Sequence, residues 1–225
     1  MKALIVYCHP SEGSFNHAVL ETVKTELNAV GAEHRTIDLY GENFQPVLTL
    51  EDWTEYEDTN CNTARITGHV DLLTWCDSLI FVYPTWWFGL PAILKGWLDR
   101  VLVPGVAFSM PTKECPRISH NFLHIKNLAV FTTCGASFWF TKFVGSPGKR
   151  MLMRGLRSCL NRRARMIFAA HYQMDSSTPE TRAKHLTRVS QKMRRLTGKR
   201  TLPPGRPAFA DGVSDTINDT MGEPA

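Results

Sequence analysis

The chain has 225 residues, of which 43% are hydrophobic, and a formal net charge of +5. This length allows one domain with a substantial core, and no apolar run approaches the roughly 18 residues of a membrane span. The first residues lack a signal-peptide pattern and the six cysteines include no CxxC pair, so we expect a cytoplasmic protein with reduced thiols.

Strand-like and helix-like patterns alternate along most of the chain. Short apolar runs predict buried strands, and apolar residues at helical spacing predict helices. The predicted strands are Ala3–Cys8, Glu33–Leu39, Leu79–Tyr83, Leu128–Thr133 and Ala164–His171. The predicted helices are Phe15–Val30, Asn62–Cys76, one that begins at Pro91, Pro147–Leu160, and one that Thr178 caps. The predicted inner face of the last helix is Ala183, Leu186, Val189, Met193 and Leu196.

Such alternation is typical of an α/β fold with a doubly wound parallel sheet and helices on both faces. The domain is expected to cover residues 1–197, and residues 198–225 read as a Pro- and Gly-rich tail. In the five-stranded order 2-1-3-4-5, ligands bind where the strand order reverses, between the first and third strands. The loops that follow these strands are His9–Asn16 and Tyr83–Gly89, so we place the candidate site there.

Two long connections fall outside the regular pattern. Residues 40–61 are acidic and irregular, and we interpret them either as a functional lid or as a surface excursion. Residues 104–126 are rich in proline. Within the second connection, Cys115, His120 and His124 have a spacing that a metal could use, but the ligand set is incomplete. We therefore expect no metal site.

The start of the first predicted helix carries several polar side chains. His9, Ser11, Ser14 and Asn16 surround the free N–H groups of its first turn, where the helix dipole favours an anion. A phosphate could accept hydrogen bonds there, with His9 as a further donor. Ser14 could equally be a simple helix cap. The residues alone leave both interpretations open.

Three motifs carry a resemblance to a known family. HPSEGSFN at 9–16, YPTWWFGLPAILKGWLDRV at 83–101 and TTCGAS at 132–137 occur in order. Together they resemble the NAD(P)H:quinone oxidoreductase family of flavodoxin-like proteins, the DT-diaphorase type. The second motif is specific, and the resemblance spans roughly residues 1–200.

The resemblance implies a flavin site. His9, Ser14, Phe15 and Asn16 would hold the flavin phosphate. The segment Pro84, Thr85, Trp86, Trp87 and Phe88 would cover one edge and face of the isoalloxazine. The polar edge of the ring would lie against Thr132, Thr133, Cys134 and Gly135. Asp99 falls where FAD-binding members carry an acidic residue near the adenine, which favours FAD over FMN, the alternative.

The sequence also departs from this family. Related enzymes carry a tyrosine and a histidine just after their TTGG segment, whereas the stretch here has Trp139 and Phe140 and no histidine. We therefore assign no charge-relay residue. Cys134 also replaces a glycine, and an inert buried thiol is the favoured interpretation.

The function that the resemblance implies is two-electron reduction of a quinone or a similar acceptor by NAD(P)H through bound flavin, in a ping-pong mechanism. Family members are homodimers with the site at the interface, to which the helix of Trp97 and residues 104–126 could contribute. The alternative is a flavodoxin-type electron carrier or a flavin-binding regulatory subunit without its own substrate.

Charge is distributed unevenly between the two halves of the chain. Residues 1–114 carry 7 Lys/Arg and 15 Asp/Glu, whereas residues 115–225 carry 19 and 6. The basic run from Lys149 to Arg165 can be a solvated face or can attract the phosphates of NADPH. Nucleic acid is the least favoured partner, and we expect none.

Overall fold

A computed structural model describes residues 1–198 of the chain. The strands are β1 (Lys2–Tyr7), β2 (Glu33–Asp38), β3 (Ser78–Pro84), β4 (Phe108–Ser109), β5 (Ser119–His120), β6 (Asn127–Thr133) and β7 (Arg165–His171). Five of them form a parallel sheet in the order β2-β1-β3-β6-β7, and β4 pairs with β5 in a separate antiparallel ribbon. The predicted order 2-1-3-4-5 is therefore confirmed.

The helices are α1 (Phe15–Asn28), α2 (Leu50–Thr54), α3 (Thr67–Trp75), α4 (Ala92–Val101), α5 (Phe138–Phe143), α6 (Pro147–Arg150) and α7 (Pro179–Thr197). A π-helical segment (Met151–Gly155) and a 3₁₀ segment (Leu156–Cys159) continue α6, and a further 3₁₀ turn covers Met174–Ser176. The predicted single helix 147–160 is thus broken into three geometries. The predicted helix 62–76 begins only at Thr67, since Asn62 instead donates to the carbonyl oxygens of Tyr56 and Pro104.

The sheet separates two apolar cores, because successive side chains of a strand point to opposite faces. On one face Leu4 and Val6 pack in the same core as the buried residues of α4 and of the segment after α6. On the other face Ala3 and Ile5 pack with α1 and α7. Every residue of β3 is buried, as expected for the central strand of such a sheet.

The inner face of α7 differs from the prediction at its first position. Ala183 is exposed, and the buried residues are His185, Val189, Met193 and Leu196. The apolar pattern missed His185 because only apolar residues were counted. Thr178 caps α7 as predicted, accepting a hydrogen bond from Thr181 N–H. Residues 199–225 of the predicted tail lie outside the described part of the chain.

The acidic connection is fastened to α4. Arg100 donates to the carbonyl oxygen of Gln45 at 2.6 Å and lies 3.5 Å from the Asp52 carboxylate. Pro46 packs so closely on Gly96 that an added Cβ there would overlap the Pro46 carbonyl oxygen. Arg65 binds three carboxylates of the same segment, those of Glu51, Asp52 and Glu55. We call residues 40–66 the acidic strap.

Candidate functional site

The main cavity lies at the carboxyl ends of β1, β3 and β6, where the strand order reverses. It has a volume of about 520 Å³, within the range of cofactor pockets. Its lining residues are His9, Phe15, Asn16, Pro84, Thr85, Trp86, Trp87, Phe88, Thr133, Cys134, Gly135, Ala136, Met174 and Asp175. The structure therefore brings together most of the predicted site residues, and none of this lining comes from the acidic strap.

Asn16 fixes the helix to the sheet at this cavity. Its side chain is 4% exposed, and its Nδ2 donates to Thr133 Oγ1 at 3.0 Å. Its Oδ1 is buried without a hydrogen-bond partner among the described residues. A buried amide oxygen without a partner is costly, so a bound ligand with an N–H or O–H group would satisfy it.

The first turn of α1 combines a cap with free backbone donors. Ser14 Oγ accepts a hydrogen bond from His17 N–H at 3.1 Å, which confirms the capping interpretation of Ser14. Ser14 precedes Phe15 and Asn16, which line the cavity, but is not itself part of the lining. His9 Nδ1 lies 3.0 Å from the backbone nitrogen of Ser11 and 3.1 Å from its carbonyl oxygen, so the ring is held by the Ser11 backbone. Burial lowers the pKa of His9, which favours the neutral form.

The loop Tyr83–Gly89, which we call the aromatic loop, forms a tight, strained turn. Gly89 N–H donates to the carbonyl oxygen of Trp86 at 3.0 Å, and the two residues between them, Trp87 and Phe88, have φ of 47° and 61°. Bulky residues rarely adopt this left-handed region, and such strain is concentrated at functional sites. Trp87 is 93% exposed, so its ring stands at the rim of the cavity.

Three threonines join the loop to the sheet, through one hydroxyl–hydroxyl contact and one backbone hydrogen bond. Thr85 Oγ1 lies 2.8 Å from Thr132 Oγ1, and Thr85 N–H donates to the carbonyl oxygen of Thr133 at 2.7 Å. Thr132 is buried behind the lining, and its contact with Thr85 is its link to the cavity. These bonds hold the Pro84–Thr85 backbone against the end of β6.

Three lining residues escaped the sequence reasoning: Ala136, Met174 and Asp175. The last two follow β7, and the rule that places sites at carboxyl strand ends could have found them. Asp175 approaches Gly135 so closely that an added Cβ would lie 2.6 Å from Asp175 Oδ2. A side chain at position 135 would therefore require the Asp175 carboxylate to move.

Asp99, a predicted cofactor residue, and Trp97, from the helix expected at a subunit interface, both lie outside the cavity. Asp99 does not line the cavity; it is exposed on α4 and its carboxylate binds Lys95 Nζ at 2.6 Å. Trp97 is fully buried, and its Nε1 donates to His69 Nδ1 at 2.8 Å. Its ring belongs to the apolar core.

The three residues of segment 104–126 whose spacing a metal could use, Cys115, His120 and His124, are not brought together as a metal site in the described part of the chain. Cys115 and His120 are exposed, and His124 Nε2 lies 3.1 Å from the carbonyl oxygen of Leu73. Within residues 1–198, no cluster of three or more histidine, cysteine, aspartate or glutamate side chains has metal-binding geometry. No helix in that range is both long and apolar enough to cross a membrane.

Comparison with known proteins places the chain in a family. A family model described as flavodoxin-like fold matches residues 1–196. The chain belongs to the flavodoxin-like family. The resemblance to NAD(P)H:quinone oxidoreductases that the three motifs carry is also confirmed.

Two curated relatives of this flavodoxin-like protein come from Rattus norvegicus. Ribosyldihydronicotinamide dehydrogenase (quinone) is 34% identical over 158 residues, 63% of this chain and 67% of that protein. NAD(P)H dehydrogenase (quinone) 1 is 35% identical over 127 residues, 49% of this chain and 46% of that protein. Ribosyldihydronicotinamide dehydrogenase (quinone) of Pongo abelii is 36% identical over 126 residues, 49% of this chain and 54% of that protein. The chain thus spans about half the length of several curated relatives.

Solved structures agree on the fold. Smu.1420 from Streptococcus mutans UA159 superposes with a TM-score of 0.74 at 34% identity, covering 87% of this chain and 100% of that one. An FMN-dependent NADH-azoreductase from Bacillus anthracis, solved with FMN, gives a TM-score of 0.69 at 15% identity, covering 87% of this chain and 98% of that one. At that identity, the second likeness concerns the fold alone.

Proposed function

We propose that this chain is a flavin-dependent NAD(P)H:quinone oxidoreductase. The observation that carries the proposal is the cavity at the reversal of strand order, walled by Trp86, Trp87 and Phe88 on one side and by polar groups on the other. A flat aromatic ring with a polar edge fits such a cavity. The names of the rat relatives support the same reaction class.

The residues present fit a flavin. Backbone N–H groups of the first turn of α1 and the ring of His9 would bind its phosphate. The partnerless Oδ1 of Asn16 would accept from a flavin hydroxyl or N–H group. Thr133 and the backbone near Gly135 would contact the polar edge of the ring. When bound, a flavin accepts a hydride from NAD(P)H and passes two electrons to an acceptor.

The chain's own contribution is positioning and exclusion of water. The aromatic loop would cover one edge of the ring and leave a face open, so that nicotinamide and quinone can stack there in turn. Two substrates that use one face in turn give ping-pong kinetics. The described residues around the cavity include no tyrosine–histidine pair, so we assign no side chain as acid or base.

The cavity residues indicate which parts of the flavin cofactor the chain can bind. The cavity residues fit the phosphate and ring portion that FMN and FAD share. Asp99, the residue that favoured FAD, pairs with Lys95 outside the cavity. We therefore propose FMN or FAD bound through the shared portion, and the mass of the released cofactor decides between them.

We further propose that the chain works as a homodimer. Trp87, Trp139 and Phe143 are 93%, 75% and 85% exposed. Phe88 contacts Phe140, which stacks on Phe143, so apolar surface extends from the cavity rim onto α5. Contiguous exposed aromatic surface of this kind marks interaction sites. A second copy of the chain on this surface would shield the open face of the cavity.

A cytoplasmic location remains part of the proposal. All six cysteines lie among the described residues, and none forms a disulfide. Burial raises the pKa of Cys8 and of Cys76 to about 12, so both thiols stay protonated and inert. This use of cysteine is typical of a reducing compartment.

The competing function is an electron carrier of the flavodoxin type. Steady-state oxidation of NADH or NADPH with a benzoquinone separates the two. The proposed enzyme gives flavin-dependent turnover and parallel lines in double-reciprocal plots. Flavin-loaded protein that oxidises neither nucleotide in the presence of the quinone would contradict the enzyme and favour the carrier.

A further inference from the structure

A second cavity, lined mainly by cations, lies beside the aromatic loop. It has a volume of about 230 Å³. Its lining consists of Lys142, Gly145, Ser146, Lys149, Arg150, Met153 and Arg154. Four positive charges therefore surround one concave surface, and we call these four residues the basic cluster.

The positive charge of the basic cluster is not neutralised by neighbouring carboxylates. Within residues 1–198, none of its four side chains forms an ion pair. The sequence from Cys115 to Met174 contains no aspartate or glutamate. Lys142 Nζ lies 5.7 Å from the Phe138 ring, and Lys149 Nζ lies 4.6 Å from the Phe168 ring. A concave surface with several uncompensated cations attracts anions strongly.

The basic cluster lies next to the loop that lines the main cavity. Gly148 N–H donates to the carbonyl oxygen of Phe88 at 3.3 Å. A Cβ at Gly148 would come within 3.2 Å of the Gly89 backbone, so the first turn of α6 packs on the aromatic loop itself. Lys149 also lines a small cavity with Thr85 and Phe88. The cluster is therefore adjacent to the loop that lines the main cavity, and the two cavities share no lining residue.

The loop that presents the cluster has a defined shape. Gly145 and Ser146 have φ of 94° and 50°, and Ser146 N–H donates to the carbonyl oxygen of Thr141 at 2.9 Å. Immediately after α6, the π-helical segment carries Arg154. π-Helical turns are rare and occur often at functional sites. Lys142 lies on α5, Lys149 and Arg150 lie on α6, and Arg154 lies on the π-helical segment, so three short segments present the four cations.

We propose that the basic cluster binds the 2′-phosphate of NADPH and thereby selects NADPH over NADH. This inference rests on the proposed function. The 2′-phosphate carries a charge of roughly −1.5 to −2 at neutral pH, and arginine binds such groups through paired hydrogen bonds. The position next to Phe88 distinguishes this site from the other basic residues of the run, Arg157, Arg162 and Arg163, which lie outside the cavity.

The first test measures binding without any reaction. Adenosine 2′,5′-bisphosphate is titrated into the flavin-loaded protein by calorimetry, with 5′-AMP and inorganic phosphate as comparisons. The double variant Lys149→Gln/Arg150→Gln should weaken bisphosphate binding roughly tenfold or more, because each charged hydrogen bond is strong. Arg162→Gln is the matched control: an exposed cation of the same run, outside the cavity, whose loss should change nothing.

The second test measures selectivity during turnover. The double variant should lose kcat/KM for NADPH by a similar factor and keep kcat/KM for NADH. Equal kcat/KM values of the unmodified enzyme for the two nucleotides would overturn the proposal. So would an Arg162→Gln variant that loses as much binding as the double variant, or bisphosphate binding no tighter than that of 5′-AMP.

The two proposals fail in different ways. If neither nucleotide is oxidised but the bisphosphate still binds through the basic cluster, the proposed function fails and the anion site stands. If both nucleotides are oxidised equally by all variants, the function stands and the selectivity inference is overturned. Binding of an oligonucleotide by the cluster, without a preference for the bisphosphate, would also overturn it. Unchanged melting temperatures of the variants exclude a folding defect.

Discussion

Asn16 Nδ2 and Thr133 Oγ1 are joined by a 3.0 Å hydrogen bond, which links the first turn of α1 to the carboxyl end of β6. Both residues are nearly buried, and both line the main cavity. One amide group therefore ties together the phosphate end and the ring end of the proposed flavin site.

Thr133→Val removes the acceptor of this bond and keeps the shape of the side chain. Because Asn16 Nδ2 is left buried without a partner, the free energy of unfolding should fall by about 1–3 kcal/mol. Flavin affinity should also fall, since the Asn16 amide is no longer held in place. Urea denaturation and flavin titration measure the two effects. Thr187→Val, at an exposed position of α7, is the control and should change neither.

Gly135→Ala should displace Asp175 from its place at the cavity. Asp175 is exposed and its side chain can move, so stability should change by less than about 1 kcal/mol. Flavin affinity should fall because the moved carboxylate alters the lining. The double variant Gly135→Ala/Asp175→Ala should recover most of that affinity. If the double variant binds flavin as weakly as the single one, the contact between the two residues is not the reason for the glycine.

Gly96→Ala should destabilise the fold through the acidic strap. A Cβ at this position overlaps the carbonyl oxygen and the Cβ of Pro46, and such overpacking costs about 1–3 kcal/mol. Gly68 lies in α3 with nothing within 4 Å of an added Cβ. Gly68→Ala should therefore be neutral or stabilise by up to about 1 kcal/mol. Thermal unfolding of the two variants gives the comparison, and equal melting temperatures would contradict the close packing of Pro46 on α4.

Acid should destabilise the protein through His185. Burial lowers the pKa of His185 to about 4, and the charges of His171 and Arg188 act in the same direction. The unfolded side chain titrates near pH 6.5, so between these values the unfolded state binds a proton that the folded state excludes. Stability should thus be complete above pH 6.5 and fall by about 3 kcal/mol as the pH drops to about 4.

His185→Leu should flatten much of this dependence, since the residue that titrates only on unfolding is gone. Burial lowers the pKa of His171 as well, so a smaller slope should remain. Urea titrations across the acidic range measure the slope, and exposed His120 provides the control as His120→Leu. A slope unchanged in His185→Leu would contradict the role of this residue.

The strand order and the position of the site could be predicted because they depend on patterns local to the sequence. Buried runs such as Leu79–Tyr83 allow few alternatives, and parallel strands bring the loops after them to one edge of the sheet. The aromatic loop and Asn16 therefore lie together at the carboxyl ends of β1 and β3, as the fold predicts. Ser14 capped its helix because capping depends on neighbouring residues only.

The features that escaped prediction depend on contacts between distant parts of the chain. His185 is buried because α7 packs on α1 and β7, and its sequence neighbours do not indicate this. Asp99 lies four residues after Lys95 on α4 and forms a local ion pair, although its position in a motif favoured a role near adenine. Asp175 and Met174 join the cavity through a loop with no recognisable motif.

The most direct test of the central claim is the visible absorbance spectrum of the purified protein, combined with mass analysis of the cofactor released on denaturation. We expect a flavin spectrum, about one FMN or FAD per chain, and uptake of that flavin by protein from which it has been removed. A colourless protein that takes up neither flavin, although it is folded, would contradict the claim.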